Sequence, residues 1–241
     1  MRPALDLFLL LLIFFSATKL QAQTAAAASA SPENAEQVAI ATYRQAMGEE
    51  AHLFSGSEFI SYPVSVGEHQ FFLNKLLEAS LVYDGLTYER VPIFYDIVND
   101  DVIVGRHDEF SPTIYIKVHK NKITQFKLDG HTFIHIQDNS TLAPGFYEQL
   151  YSGNLQVLAK RKKVYKKEVV TVTFPADNYY YLLKAGTYFP VKSKGSVLKV
   201  LKEHKKELSQ YLKANNIIFS QNREFAIAKL AEQYDLLTQA K

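Results

Sequence analysis

Between Phe54 and Val191 the chain alternates apolar and polar residues, is rich in Tyr, Phe, Val, Ile and Thr, and meets a turn signal every ten to twenty residues. That pattern predicts short strands joined by hairpins, because a parallel crossover needs a dozen or more connecting residues. Asp84-Gly85, Asp129-Gly130 and Ala185-Gly186 are placed for tight turns, whose positive backbone angles suit Gly and Asp. Strands are expected at residues 58–62, 80–83, 86–89, 91–98, 102–106, 113–119, 122–128, 131–137, 146–151, 154–160, 169–174, 178–183 and 187–191. Residues 113–119 and 122–128 read as neighbours joined at Lys120-Asn121. Pro92 cannot donate to a ladder, which places its strand at an edge or beside a bulge.

After Val191 the period becomes helical. Ser193 or Ser196 caps a helix striped by Val197, Leu201, His204, Leu208 and Tyr211, with Lys199, Lys202, Lys206 and Lys213 turned away from the stripe. Asn215-Asn216 ends it, and Ser220 caps a second helix striped by Ile227, Leu230, Tyr234 and Leu237. The expected fold class is α+β: an antiparallel hairpin-rich sheet or partly closed barrel (residues 51–191) with a C-terminal antiparallel helix pair (residues 193–238) packed on it as one folded unit.

At the other end, Met1-Arg2 precedes an unbroken apolar run from Leu7 to Phe15 and a short polar stretch ending at Ala22. This is the order of a secretory signal peptide, expected at residues 1–22 and cleaved after Ala22, or failing that after Ala26. The run is too short for a membrane-spanning helix, which needs about 20 apolar residues. No later stretch is longer, so no transmembrane span is expected in the mature chain. Residues 23–31 read as a flexible leader, and residues 32–48 as a helix opened by Ser31-Pro32-Glu33 and stopped at Gly48. An exported chain without cysteine has neither a disulfide framework nor a lipid-modified cysteine, and neither thiol catalysis nor a cysteine-ligated metal. An ordinary core must hold it, and 47% apolar composition with 16 Phe and 15 Tyr can supply one.

Charge divides at Lys160. Residues 23–159 hold 8 Lys and Arg against 17 Asp and Glu, whereas residues 160–241 hold 17 against 7. The densest basic run is residues 154–167, NLQVLAKRKKVYKK, where Leu155, Val157 and Ala159 alternate with their neighbours. Lys160, Arg161, Lys162, Lys163, Lys166 and Lys167 are therefore expected to continue a strand. One reading matches these cations to the acidic sheet inside a single fold, and it requires them to meet carboxylates of residues 51–150. The other makes them, together with the lysine face of the helix at residues 196–214, a basic patch for an anionic envelope component such as acidic lipid or lipopolysaccharide. Nothing points to nucleic acid.

Three blocks carry a resemblance: VYDGLTYERVPIFYDIVNDDVIV (residues 82–104), GFYEQLYSGNLQVLAKRKK (145–163) and FPVKSKGSVLKVLKEHKKELSQYLKANNIIF (189–219). In their order they resemble a family of secreted proteins from the Bacteroidota. The resemblance covers most of the mature chain and implies export. It brings no catalytic residue, substrate or cofactor with it.

The remaining constellations have plain structural readings. His131 and His135 would aim at one metal on a helix, but on a strand they stand roughly 13 Å apart at about 3.3 Å per residue. His119 could join one of them across a hairpin. Asp96, Asp100 and Asp101 read as turn-forming aspartates, without the spacing of a calcium loop. Glu58 and Glu89 are nominal candidates for a glycosidase pair. Tyr179, Tyr181 and Tyr188 line a hairpin face that packs in the core or stacks on a glycan. No phosphate-cradling glycine loop, G-x-S-x-G elbow, H-E-x-x-H or dinucleotide fingerprint is present, and no cofactor is implied. The expectation is a non-catalytic envelope or secreted protein acting through binding or structural support. The alternative is an envelope-acting hydrolase with a dispersed acidic site, which would show two carboxylates converging in a deep pocket.

Overall fold

The structure, a computed structural model, describes residues 49–62, 68–108, 111–137, 141–169 and 171–239. The expected signal peptide, leader and N-terminal helix lie outside the described residues. The chain divides into two compact units, residues 1–52 and 53–241, and all thirteen described strands belong to the second.

A helical turn, α1 (Glu49–Leu53), precedes β1 (Ser57–Glu58), β2 (Leu77–Tyr83), β3 (Leu86–Asp96), β4 (Asp101–Asp108) and β5 (Ser111–Lys117). A 3-10 turn at Lys120–Lys122 leads to β6 (Ile123–Leu128), β7 (His131–Ile136), β8 (Gly145–Ser152) and β9 (Gln156–Lys160). β10 (Lys166–Lys167) and β11 (Val172–Thr173) form a small hairpin of their own before β12 (Tyr179–Lys184) and β13 (Thr187–Val191). Three helices finish the chain: α2 (Lys194–Val200), α3 (Lys205–Ala214) and α4 (Arg223–Gln239). Eleven strands make one antiparallel sheet in the order β1-β5-β4-β3-β2-β6-β7-β8-β9-β12-β13. Its ladder does not close into a barrel, and β1 and β13 are its two edges.

The turn chemistry acted as expected. Asp84 and Gly85, Asp129 and Gly130, and Ala185 and Gly186 all have positive φ, the requirement of a two-residue hairpin turn that matches strand twist. Pro92 lies in the sheet interior, and the register shifts beside it, where Arg90 takes φ 55°. That bulge merges two expected strands into the bent β3, whose first half pairs with β2 while its end pairs with β4.

The expected pairing of residues 113–119 with 122–128 is wrong. β5 pairs with β4 and β1, and β6 pairs with β2. Lys120-Asn121 sits in a 3-10 turn that carries the chain from one part of the sheet to another. The basic run also departs from expectation, because β9 stops at Lys160 and residues 161–165 leave the large sheet.

The sheet is strongly curled. β3 and β8 are four places apart in it, which is roughly 19 Å on a flat sheet at about 4.8 Å per strand. Yet the rings of Tyr95 on β3 and Phe146 on β8 are 5.9 Å apart, in one core with Phe126 and Phe133. Asp100, in the β3–β4 turn, fastens the curl. Its carboxylate accepts from Tyr95 Oη at 2.6 Å and Phe146 N at 3.1 Å and pairs with Lys160 Nζ at 2.8 Å.

A second core lies between β9, β12, β13 and the helices, where Val157, Ala159, Tyr180 and Leu182 meet Val197, Leu201, Leu208, Leu212, Ile227 and Leu230. Ser193 caps α2 and forms a capping box with Ser196. The first helix of the expected C-terminal pair is interrupted by a 3-10 turn at Lys202–His204, and Asn222, not Ser220, caps α4 through Phe225 N. Asp235 of α4 is buried and accepts from Leu155 N at 3.1 Å and Tyr151 Oη at 3.0 Å, which fixes the β8–β9 hairpin under the helix.

A Cβ on Gly145, itself at φ 139°, would overlap both the Asp100 carboxylate and the Lys160 ammonium. Gly145→Ala should therefore release this fastening and cost about 2–4 kcal/mol, within the range of buried strain and broken ion pairs. Urea denaturation of the variant against wild type measures it.

Candidate functional site

Strand alternation sends Lys160 and Arg161 to opposite sides. Leu158 and Lys160 share a face with Tyr147 and Tyr181, while Val157, Ala159 and Arg161 follow the face covered by the helices. Lys160 lies 4.9 Å from the Tyr147 ring centre and donates to Phe146 O at 3.0 Å as well as reaching Asp100. Burial holds its ammonium below the usual lysine range, with Asp100 opposing.

Arg161 is 7% exposed and spans two carboxylates. Its Nε donates to Glu148, which β8 presents at 3% exposure, and Nη1 and Nη2 form a fork on Glu224 of α4 at 2.5 and 2.8 Å. The Phe72 ring lies 5.8 Å from the guanidinium. Glu148 also meets His131 Nδ1 at 2.5 Å, and Glu224 accepts from Tyr180 Oη at 2.7 Å. Hydrogen bonds from Arg161 hold Glu224 below the usual carboxylate range, and burial followed by the Glu224 contact pushes the Tyr180 phenol up to about 12. A buried pair of this kind stands only when every partner is present.

The other cations of the run have different fates. Lys163 donates to the carbonyls of His69 and Phe71 at 2.8 and 2.9 Å, while Lys162, Lys166 and Lys167 are exposed. Lys160 and Arg161 thus meet acids from residues 51–150, but the six expected cations do not form one patch. Among the aromatics, Tyr181 and Tyr188 are half-buried with Leu142, Tyr147 and Leu158, and Tyr179 stands at the solvent margin with its hydroxyl on Asp177. His131 and His135 make separate contacts, the latter through Nδ1 to Ile123 O at 2.9 Å. Asp96 accepts from Val98 N, Asn99 N and Asn99 Nδ2, which is the turn role expected of it.

The curl also opens a cleft of about 490 Å³, the size of a small-molecule site. It is lined by Ser57, Asp101, Lys117, Val118, His119, Lys120, Asn121, His135, Gln137 and Pro144. Among the described residues Asp101 is the sole carboxylate in this lining, and it faces Lys120 at 3.2 Å and Lys117 at 3.9 Å. The sequence holds no local signal for the cleft, because β5 and β7 are five places apart in the sheet and converge only through its curl. His119 and His135 do share it, with His119 Nε2 3.2 Å from Ser55 O.

Arg161→Ala strands Glu148 in the interior and should cost about 3–5 kcal/mol in chemical denaturation. The double charge reversal Lys166→Glu, Lys167→Glu should stay within about 0.5 kcal/mol, as exposed positions do. The folded Glu224 pKa lies below its ordinary 4.5, so its contribution is fully present above about pH 4.5 and is lost as pH falls through the folded value. Stability measured on acidification below pH 4.5 should fall less steeply in Glu224→Gln than in wild type. No family model, no curated protein and no solved structure matches the chain.

Proposed function

We propose that this is an exported protein that works without catalysis, holding an anionic envelope component on the exposed lysines of α2, of the 3-10 turn after it and of α3. The observation that carries this reading is where positive charge remains unspent. Lys199, Lys202, Lys205, Lys206 and Lys213 are all exposed, and among the described residues none of them makes an ion pair. Lys199 lies on α2, Lys202 in the 3-10 turn that follows it, and Lys206 and Lys213 on one face of α3, opposite the buried Leu208 and Leu212. Unpaired cations clustered on a rigid face attract anionic surfaces at roughly 1 kcal/mol per lysine. Export is supported by the signal-peptide order of residues 1–22 and by the resemblance to secreted proteins. The hydrolase reading asks for two convergent carboxylates, and among the described residues the one acid lining the cleft is already engaged by lysines.

Cosedimentation with phosphatidylglycerol-containing vesicles should show binding that weakens with salt and is absent with phosphatidylcholine alone. Reversal of Lys199, Lys202, Lys206 and Lys213 to glutamate should reduce it at least about tenfold, given the value per lysine. Equal binding by wild type and the reversed variant would refute the role of this face.

A further inference from the structure

The cleft has a composition that the lysine face does not share, and it gives a second, independent site. Its walls come from β1, β4, the end of β5, the 3-10 turn, β7 and the approach to β8, all parts of the curled sheet. Val118 and Pro144 are its apolar lining residues, and the others carry hydrogen-bonding side chains.

The state of those side chains decides what fits. His135 is oriented by its Nδ1 contact with Ile123 O, which leaves Nε2 without a partner among the described residues. Burial lowers its pKa, so the ring is neutral near pH 7 and Nε2 accepts a hydrogen bond. Gln137 donates Nε2 to Asn121 O at 3.0 Å and keeps its carbonyl oxygen available. Among the described residues, the Ser57 hydroxyl and the Asn121 carboxamide make no hydrogen bond. Lys117 faces Asp101 at 3.9 Å, while Lys120 faces Asp101 at 3.2 Å and Asp100 at 3.9 Å and donates to Asn99 O at 3.1 Å. Lys160 also holds Asp100, so among the described residues three ammonium groups share these two carboxylates.

An inorganic anion would use only the donors. A neutral sugar would leave the surplus ammonium charge uncompensated. A hydroxylated ring bearing one anionic group uses the whole set: its hydroxyls donate to His135 Nε2 and Gln137 and accept from Ser57 and Asn121, while its carboxylate or phosphate meets Lys117 and Lys120. We infer that this cleft binds an acidic monosaccharide, a sugar acid or a sugar phosphate.

The test is a titration of the ¹⁵N-labelled full chain with glucuronate, glucose 6-phosphate, glucose and inorganic phosphate, followed by amide chemical shifts. The expected result is saturable binding of glucuronate or glucose 6-phosphate with shifts at residues 117–121 and 135–137. Glucose and phosphate should each bind at least about tenfold more weakly, a difference of about 1.4 kcal/mol. Which of the two acids binds more tightly separates a carboxylate ligand from a phosphate ligand. Lys117→Ala and Gln137→Ala, both at half-exposed or exposed positions, should each weaken binding by about tenfold while thermal denaturation stays unchanged. Failure of both acidic sugars to saturate, equal binding of glucose or of phosphate alone, or unchanged affinity in both variants would each overturn the assignment.

Discussion

The guanidinium of Arg161 is the point on which the two halves of the molecule meet. It leaves the end of β9, reaches back to Glu148 on β8 and forward to Glu224 on α4, so one side chain ties the curled sheet to the helix that covers its far end. Removing charges from water is costly, and a buried pair adds little over an apolar contact of the same shape. What the network does supply is register. A one-residue slip of β9 would turn Arg161 toward Asp100 and Lys160 toward the helices, and would invert every apolar residue of that strand.

The curl depends on the same region. Asp100 holds the β3–β4 turn against the start of β8 through Phe146 N and Lys160, and the rings of Tyr95, Phe126, Phe133 and Phe146 fill the space so enclosed. Because those aromatics pack edge to face as well as stacked, the interior is filled without a closed ladder. The cleft is what remains where the curled edge passes beside β7. Its polar lining follows from position, since the strand ends and the 3-10 turn that form it are the solvated parts of the sheet.

Positive charge is thereby divided into two populations. Lys160, Arg161 and Lys163 are committed to carboxylates or carbonyls inside the fold, whereas Lys162, Lys166 and Lys167 and, further on, Lys199, Lys202, Lys205, Lys206 and Lys213 are exposed. Charge density points first to the run at residues 160–167, while helical period points to the lysines after Ser196, and burial separates the two. The most concentrated basic run is therefore a structural joint in half of its residues, and the surface we propose for an anionic partner lies some 40 residues further along the chain.

The sequence by itself determined the local geometry: antiparallel hairpins from alternation, turns where Asp-Gly and Ala-Gly accept positive φ, an edge or a bulge at Pro92, a cap at Ser193 or Ser196, and a helix pair whose apolar stripe seeks a sheet. These depend on φ/ψ preference and side-chain period, which act over a few residues. Tertiary structure decided which strands meet. Residues 113–119 and 122–128 are joined by a short turn and yet have different neighbours, because a bulged β3 bends the sheet between them. It also decided which cations find acids, and it gathered Lys117, His119 and Lys120 beside His135 and Gln137. Contacts of that kind depend on where distant strands arrive after the sheet curls, and no short-range pattern encodes the arrival.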